Sequence, residues 1–254
     1  MGAERVYDFL LGFIFIMSGF TFISTFFYTN PYGKFKKETE KFTIASLPGW
    51  LIMEFPCLVA FALTFSLSKH RGALVPLVFL CLWQTHYLYR SIIFPLRMRD
   101  RKKRMPLMAV VVGFVFNCIN GFLNGYAIGN LSPHLLDSQW LLTPYFIIGI
   151  ILMITGVSIN IHSDNVLRNL RKPGETGYKI PYGGMYRFIS APNYFGEIVE
   201  WCGLAIATLT PAALSFAIFS FSNLFPRAIA HHRWYLKTFE NYPKERKAII
   251  PSII

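Results

Sequence analysis

The sequence predicts an all-α, polytopic membrane protein with seven transmembrane helices, its N-terminus outside and its C-terminus in the cytoplasm. Three observations support this prediction. Apolar windows of about 18–25 residues recur along the chain, and this is the length that crosses the hydrocarbon core of a bilayer. Charged residues make up only 15% of the 254 residues, compared with about 25% in soluble domains. Lysine and arginine are distributed unevenly between alternate loops.

The apolar windows give the predicted spans in chain order. The first window follows one arginine and has no small-residue cleavage site after it, so we interpret it as a span and not as a signal peptide. The last two windows are short and are separated by Thr210 and Pro211, which is typical of a tight helical hairpin. The seven spans cover residues 7–28, 46–68, 73–95, 106–128, 141–162, 194–209 and 211–231.

The basic residues predict the orientation of these spans. With the N-terminus outside, 21 of the 25 lysine and arginine residues fall in the four inside segments and three fall outside. This asymmetry follows the positive-inside rule, and one span more or fewer would remove it. It also explains the net charge of +12 without nucleic acid as a partner. The inside segments are 34–41, 97–104, 164–190 and 227–247.

Several classes of site are excluded by missing motifs. The chain contains no GxGxxG sequence after a strand and no GxxxxGK[ST] sequence, which excludes a Rossmann site and a P-loop. The six histidines are too few and wrongly spaced for the histidine boxes of a membrane di-iron oxygenase. The four cysteines lie inside apolar runs without a CxxC pair, so we expect buried, inert thiols and no metal.

The chain contains no repeat, no low-complexity segment and no long linker. We therefore predict that one membrane-embedded domain covers residues 1–254.

Ionisable residues inside the predicted spans point to a site within the membrane, because such residues are costly there. Glu54 and Tyr87 each lie about eight residues, or ~12 Å, from the cytoplasmic end of their spans. The two side chains are therefore expected at similar depth. Arg90 shares one side of its helix with Tyr87. The structural alternative for Glu54 is an ion pair with Arg90.

Small and amide residues line the fourth span. The glycines are spaced as a GxxxGxxxG ridge, which predicts close helix contact. The asparagines are spaced for one helix face, and interhelical hydrogen bonding is the structural alternative to a functional role. These residues are Gly121, Gly125 and Gly129, and Asn117, Asn120 and Asn124.

Polar side chains form three further stripes at the predicted cytoplasmic ends of helices. Arginine alone is ordinary there, but aligned Asn, Asp, Glu, His and Tyr are not. Together they predict a polar pocket open to the cytosol, in which arginine holds phosphate groups. The chain turns between the first two stripes at Pro173–Gly174 and Gly183–Gly184. The stripes are Asn160, Asp164, Arg168 and Arg171; Asn193, Glu197 and Glu200 or Trp201; and Arg227, His231 and Tyr235.

Four segments of the chain resemble the steroid 5α-reductase family. They are GWLIMEFP, THYLYRSIIFPLRMR, NIHSDNVLRNLRKPGETGYKIPYGGMYRFISAPNYFGEIVEW and FPRAIAHHRWYLKTFENYPKERKAIIPSII. The resemblance covers the whole chain and implies an integral membrane enzyme of seven helices. It also implies hydride transfer from NADPH to the C4–C5 double bond of a 3-oxo-Δ4 steroid. For this lipophilic enone, entry to the site from membrane lipid is our hypothesis.

The resemblance also implies roles for individual residues. Glu54 and Tyr87 match the residues that bind the 3-keto oxygen, where Tyr87 and a protonated Glu54 would stabilise an enolate. Members of the steroid type place Gln directly before this Glu, whereas this chain has Met53. Weaker matches to the cofactor site are Arg90, Arg97 and Arg168. The stronger matches are Asn160, Asp164, Arg171, Tyr178, Asn193, Glu197, Arg227, His231 and Tyr235.

Three other functions stay open from the sequence. Met53 leaves room for a related membrane reductase of an enoyl thioester or a polyprenoid. A methyltransferase that uses S-adenosylmethionine is a further alternative, although the arginines favour a cofactor rich in phosphate. A lipid transporter or scaffold would require Glu54, Tyr87 and Arg90 to be structural or to lie on a transport path. We expect a multi-pass protein of the bacterial inner membrane or the endoplasmic reticulum.

Overall fold

The structure is a computed structural model that describes residues 2–28, 35, 41–99, 101–172, 175 and 177–254. The predicted turn at Pro173–Gly174 and most of the basic segment 34–41 lie outside the described residues. Helices dominate the described chain, and a helical segment occurs at each of the seven predicted spans. The α-helices are α1 (Ala3–Phe27), α2 (Ser46–Ser66), α3 (Leu74–Leu88), α4 (Phe94–Arg97), α5 (Leu107–Tyr126), α6 (Pro144–Asn169), α7 (Pro192–Thr208) and α8 (Pro211–Thr238).

Five of the described helical segments are long and apolar enough to cross a membrane. They are α1, α2, α6, α8 and the segment Leu107–Leu131, which contains α5. The other two predicted spans contain shorter helices, the 15-residue α3 and the 17-residue α7. The structure therefore supports an integral membrane protein, while the count of seven crossings and the orientation of the termini stay predictions.

Several helices continue past their predicted ends. α6 and α8 extend to Asn169 and Thr238, whereas the predicted spans end at residues 162 and 231. α3 continues through a π-helical turn, Tyr89–Ile93, into the short α4. α5 continues through a second π-helical turn, Ala127–Leu131. Single 3₁₀ turns lie at Pro133–Leu136, Ser138–Leu142 and Gly184–Arg187.

Two three-residue strands, absent from the sequence prediction, precede α2 and α5. β1 (Thr43–Ala45) pairs with β2 (Arg104–Pro106) in antiparallel register, with Thr43 opposite Pro106. The Ser46 backbone amide and side chain both bond to the carbonyl of Lys103. This pairing holds together the chain segments from which α2 and α5 begin.

The contacts divide the chain into two compact units. The first comprises Met1–Phe13, Asn30–Phe146 and Thr208–Ala213, and the second comprises Ile14–Thr29, Ile147–Ala207 and Leu214–Ile254.

Within the first unit, the predicted glycine ridge of α5 packs tightly on α2. A Cβ placed on Gly121 would lie 2.8 Å from the carbonyl oxygen of Cys57, and one on Gly125 would lie 2.9 Å from that of Phe61. A Cβ on Gly129, just past α5, would lie 2.4 Å from the Cβ of Ser68. The prediction of close helix contact is confirmed, and it brings polar side chains of the two helices within reach of one another.

In the second unit, glycines let α6 and α7 touch along their backbones. A Cβ on Gly149 would lie 2.5 Å from the amide nitrogen of Ala207, and one on Gly196 would lie 2.5 Å from the carbonyl oxygen of Gly156. The segment before α7 pairs with a segment near the end of the chain. There, the Lys247 amide donates to Phe188, and the Ser190 amide donates to the Lys247 carbonyl at 2.8 Å.

The cysteines are all free, as predicted, but not all are buried. Cys57 is buried and Cys118 is half-buried, whereas Cys81 and Cys202 are exposed on their helices. The expectation of four buried thiols is wrong for these two. An apolar run in a membrane helix includes faces that turn away from the protein interior, so an apolar neighbourhood in the sequence does not establish burial.

Candidate active site

Glu54 on α2 and Arg90 in the π-helical turn form an ion pair in the first unit. Arg90 Nε lies 3.7 Å from Glu54 Oε1, and both side chains are largely buried. This distance shows that the ion pair proposed as an alternative for Glu54 is present. The guanidinium also lies over the rings of Trp50 and Phe94, at 4.9 and 5.0 Å from their centroids. Because aromatic faces attract cations, these two rings help to hold Arg90 in place.

The asparagine stripe of α5 contacts both residues predicted to bind the ketone. Asn117 Nδ2 donates to the Met53 carbonyl at 2.8 Å and lies 3.5 Å from Glu54 Oε2. Asn120 Nδ2 lies 3.4 Å from the Tyr87 hydroxyl. Residues three apart on a helix differ in height by about 4.5 Å. The structure therefore brings Glu54 and Tyr87 to neighbouring positions along α5, in agreement with the matched depth inferred from the sequence.

Aromatic rings enclose Tyr87. Its side chain is 3% exposed, and its ring lies 5.0 Å from those of Trp83 and His86. The Ser91 hydroxyl donates to the Tyr87 carbonyl. Tyr87 therefore holds its hydroxyl in a buried setting, where a hydrogen bond to a charged oxygen is stronger than in water.

In the second unit, amide and carboxylate groups join the C-terminal part of α6 to the start of α7. Asn160 Nδ2 donates to the Asn193 carbonyl at 3.0 Å, and Asn193 Nδ2 donates to Asp164 Oδ1 at 3.2 Å. These are three of the predicted cofactor residues. The Gly156–Gly196 approach beside them fixes the register in which these bonds form.

Tyr186, which the sequence analysis did not select, lies among the predicted stripes. It is 1% exposed, and burial raises its pKa well above the ordinary value of 10.0. The charges of Asp164 on α6 and Tyr235 on α8 raise its pKa further, as does Tyr194 on α7. These electrostatic effects decay with distance, so Asp164, Tyr194 and Tyr235, from three different helices, all lie near this one ring. Nothing in the spacing around Tyr186 marks it in the sequence.

Aromatic contacts surround the α8 stripe. The ring of Tyr235 stacks on Tyr242 at 5.1 Å, and the half-exposed Tyr178 meets Trp234 edge-on at 5.1 Å. His231 lies 5.3 Å from the ring of Tyr194. The stripe predicted from i, i+4 spacing is thus a real helix face, with aromatic partners that the spacing did not show.

The predicted arginines have different surroundings. Arg227 is buried, with Nη1 3.4 Å from Asn223 Oδ1. Arg168 is half-buried and bonds to Asn165 on its own helix, and Arg171 reaches the Gly177 carbonyl at 3.3 Å. Arg97, in the first unit, is exposed at the end of α4. Glu197, the remaining member of the set, is half-buried on α7.

Arg246 is a second residue that the sequence analysis missed. Its side chain is 3% exposed, and its Nη1 donates to the Pro181 carbonyl at 3.0 Å. The guanidinium lies over the rings of Tyr182 and Tyr242, at 4.9 and 5.2 Å. It was counted only as one of the inside basic residues. The chain separation of 65 residues from Pro181 hides its partner from any local pattern.

An open recess of about 460 Å³ lies beside α6, on a different side of the helix from Asn160 and Asp164. It is lined by His162, Asn165, Val166, Asn169, Leu170 and Tyr182. None of the predicted site residues lines it. Within the described ranges, no group of three or more His, Cys, Asp or Glu side chains is placed to hold a metal ion.

Comparison with known proteins decides the family. A family model described as 3-oxo-5-alpha-steroid 4-dehydrogenase matches residues 103–254, which is more than half of the chain. The chain belongs to the steroid 5-alpha-reductase family. It is 42% identical over 234 residues to the bovine 3-oxo-5-alpha-steroid 4-dehydrogenase 1, covering 89% of this chain and 88% of that protein.

Other relatives extend this family assignment along the chain. The human 3-oxo-5-alpha-steroid 4-dehydrogenase 1 is 42% identical over 224 residues, which is 87% of this chain and 85% of the human protein. The tomato steroid 5-alpha-reductase DET2 is 39% identical over 256 residues and covers 98% of both chains. The similarity to steroid 5-alpha-reductases therefore includes the first unit, where Glu54 and Tyr87 lie, as well as the second.

Proposed function

We propose that this protein reduces the C4–C5 double bond of 3-oxo-Δ4 steroids with NADPH as the hydride donor. Membership of the steroid 5-alpha-reductase family makes this chemistry the expected one. The observation that carries the proposal is the pair of contacts from α5. Asn117 and Asn120, three residues apart, reach Glu54 and Tyr87 respectively.

Tyr87 is assigned to the ketone oxygen. Negative charge grows on that oxygen when the β-carbon of an enone is reduced, and an O–H donor aimed at it stabilises the charge. The ring is almost fully buried, so little water competes for the bond. Tyr87 also supplies the proton when it acts as the general acid, a role that contributes about 10²–10⁴-fold to rate.

Glu54 is assigned to the same oxygen, and its role depends on its proton. A protonated carboxyl donates a second hydrogen bond to the ketone, whereas a carboxylate paired with Arg90 has no proton to donate. Glu54→Gln separates these roles because an amide always carries donor hydrogens. Retained turnover in this variant supports donation by Glu54. A loss of turnover equal to that of Glu54→Leu assigns Glu54 to the ion pair instead.

The second unit is assigned to the dinucleotide, and its side chains suit that ligand. Guanidinium groups match phosphate geometry, and Arg168, Arg171 and Arg227 all belong to this unit. Asn160, Asn193 and Asp164 offer amide and carboxylate groups for the carboxamide and ribose hydroxyls. Tyr178, Glu197, His231 and Tyr235 complete the set, and Arg90 and Arg97 of the first unit are weaker candidates. When bound, reduced nicotinamide supplies a hydride.

We also propose that the chain crosses the membrane seven times, with the N-terminus outside and the C-terminus in the cytoplasm. The support is the distribution of lysine and arginine together with helices at all seven predicted spans. Single cysteines introduced at Lys69 and Lys102 in a variant without native cysteines test it. A membrane-impermeant maleimide added to intact bacterial cells that carry the protein in their inner membrane should label Lys69→Cys only; labelling of Lys102→Cys alone would reverse the orientation.

The decisive experiment is turnover by the purified protein in nanodiscs. NADPH and a 3-oxo-Δ4 steroid should give a product reduced at C4–C5, with NADPH oxidised in equal amount. Tyr87→Phe should lower kcat by about 10²-fold or more. Tyr145→Phe removes the same hydroxyl from an exposed ring and should leave kcat unchanged. The absence of steroid-dependent NADPH oxidation, or full turnover by Tyr87→Phe, would contradict the proposal.

A further inference from the structure

The asparagine stripe of α5 does more than hold helices together. Asn117, Asn120 and Asn124 are 6%, 3% and 0% exposed, so three amide side chains are buried on one face of a helix that is apolar enough to cross a membrane. Among the described residues, Asn124 Oδ1 has no hydrogen-bond partner. A buried polar group of this kind lowers stability, which favours a role beyond packing.

A backbone carbonyl fixes the orientation of the Asn124 side-chain amide. Asn124 Nδ2 lies 3.1 Å from the carbonyl oxygen of Asn120. Because a carbonyl oxygen only accepts hydrogen bonds, the Asn124 amide must turn its nitrogen, and not its oxygen, toward this carbonyl. The same nitrogen lies 2.9 Å from Asn120 Oδ1.

The orientation of the Asn124 amide in turn determines the orientation of the Asn120 amide. Since Asn124 Nδ2 only donates, the atom of Asn120 that faces it must be the oxygen. Turning the Asn120 amide over would place two donors against each other. Asn120 Nδ2 is therefore held on the opposite side, 3.4 Å from the Tyr87 hydroxyl and 3.7 Å from Cys57 Sγ.

We propose that Asn120 is a positioning residue for Tyr87, and that Asn124 fixes the orientation in which Asn120 does this. The Tyr87 oxygen accepts from Asn120, so its single proton is directed away from α5. Cys57 on α2 is a side-chain hydrogen-bond partner of Tyr87, and a bound acceptor oxygen would take the place of this weak sulfur acceptor. A hydroxyl that accepts one hydrogen bond also becomes a better donor in the next, because such bonds polarise one another. The ligand of this device is an acceptor oxygen such as a ketone, and the inference rests on the proposed role of Tyr87.

Two variants of Asn120 test the device in different ways. Asn120→Leu removes the amide at similar volume, and Asn120→Asp keeps the shape but replaces the donor with an oxygen that attracts the Tyr87 proton. Both should lower kcat at least about tenfold, with little change in the affinity for NADPH. Asn124→Leu, which frees the Asn120 amide to turn over, should lower kcat by less.

Combination with Tyr87→Phe separates positioning from a merely structural role. If Asn120 acts through the Tyr87 hydroxyl, Tyr87→Phe with Asn120→Leu should lose no more turnover than Tyr87→Phe alone. The inference is overturned if the two losses multiply. It is also overturned if Asn120→Leu and Asn120→Asp both turn over like the wild type while Tyr87→Phe does not, and in that case the proposed function survives.

Two further results keep the test complete. Full turnover by Tyr87→Phe defeats the assigned role of Tyr87, and this inference falls with it. If Asn120→Leu does not fold in nanodiscs, the isosteric Asn120→Asp carries the same comparison in the Tyr87→Phe background. NADPH binding, measured by thermal shift, shows whether the second unit is intact in each variant.

Discussion

Gly156 in α6 approaches Glu200 in α7 so closely that a Cβ on Gly156 would lie 2.4 Å from the Glu200 amide nitrogen. The contact is between backbones, which cannot rotate aside as a long side chain can. The same interface includes Gly196, next to the bonds that join Asn160, Asn193 and Asp164. The spacing of the two helices thus determines whether these predicted cofactor residues meet.

Gly156→Ala should therefore destabilise the protein and weaken NADPH binding. Overpacking of a tight interface costs about 1–3 kcal/mol, which exceeds the gain of about 0.5–1 kcal/mol from replacing a helical glycine by alanine. Gly19→Ala is the matched control, because nothing lies within 4 Å of its Cβ position. Thermal unfolding in detergent, with and without NADPH, measures both effects. Equal midpoints for the two variants would show that α6 and α7 separate without cost.

Met53 and Gly113 should behave as a coupled pair. A Cβ on Gly113 would lie 2.4 Å from Met53 Cγ, so the residue that replaces the expected Gln packs against α5. Gly113→Ala should lower the midpoint of thermal unfolding, and Met53→Ala should relieve the clash. A double-mutant cycle should give a coupling free energy of about 0.5–3 kcal/mol. Gly12→Ala, at an open helix position, is the control and should show no coupling with Met53→Ala.

Tyr186 should make the protein sensitive to alkaline pH. Burial, aided by the charge of Asp164, raises its pKa above the ordinary value of 10.0, so the unfolded chain loses this proton at lower pH than the folded chain. This difference in pKa adds to the free energy of unfolding below about pH 10, and the contribution is lost as the pH rises toward the pKa of Tyr186 in the folded protein. Between about pH 8 and about pH 11, the unfolding midpoint of Tyr186→Phe should fall less steeply than that of the wild type. Parallel curves would show that Tyr186 does not contribute to the alkaline loss.

Arg246→Lys should loosen the segment near the end of the chain. A lysine keeps the charge but loses the planar group that lies over Tyr182 and Tyr242 and reaches Pro181. We expect faster digestion by carboxypeptidase and a lower unfolding midpoint, by an amount set by cation–π energies of about 0.5–2 kcal/mol. Arg233→Lys makes the same change at an exposed position of α8 and should alter neither quantity.

The helices were predictable because each predicted span carries a long apolar window, and this signal is local. The ends of α6 and α8 were not predictable in this way. In α6, for example, polar residues such as Asp164 continue the helix after the apolar window has ended. β1 and β2 were not predicted either. Three-residue strands show too little alternation to be recognised, and their pairing joins residues far apart in the chain, such as Thr43 and Pro106.

The candidate site was predictable where residues repeat on one helix face, as Asn160 with Asp164 and Arg227 with His231 do. The similar depth of Glu54 and Tyr87 followed from counting residues along two spans. Tyr186 and Arg246 were missed because their partners lie far away in the chain. Their burial depends on tertiary packing, which no spacing rule contains.

The π-helical turn at Tyr89–Ile93 holds one residue more than an α-helical turn would. Deleting one residue there would leave a continuous backbone hydrogen-bond ladder, so the helix would survive the loss. Because the deleted residue is the one that the wider turn accommodates, the helix on either side would keep its orientation. A deletion in α3 before Tyr87 would instead rotate Tyr87 and Arg90 by about 100° about the helix axis, away from Asn120 and Glu54. The π-helical turn is therefore the place in this helix where the chain tolerates a change in length.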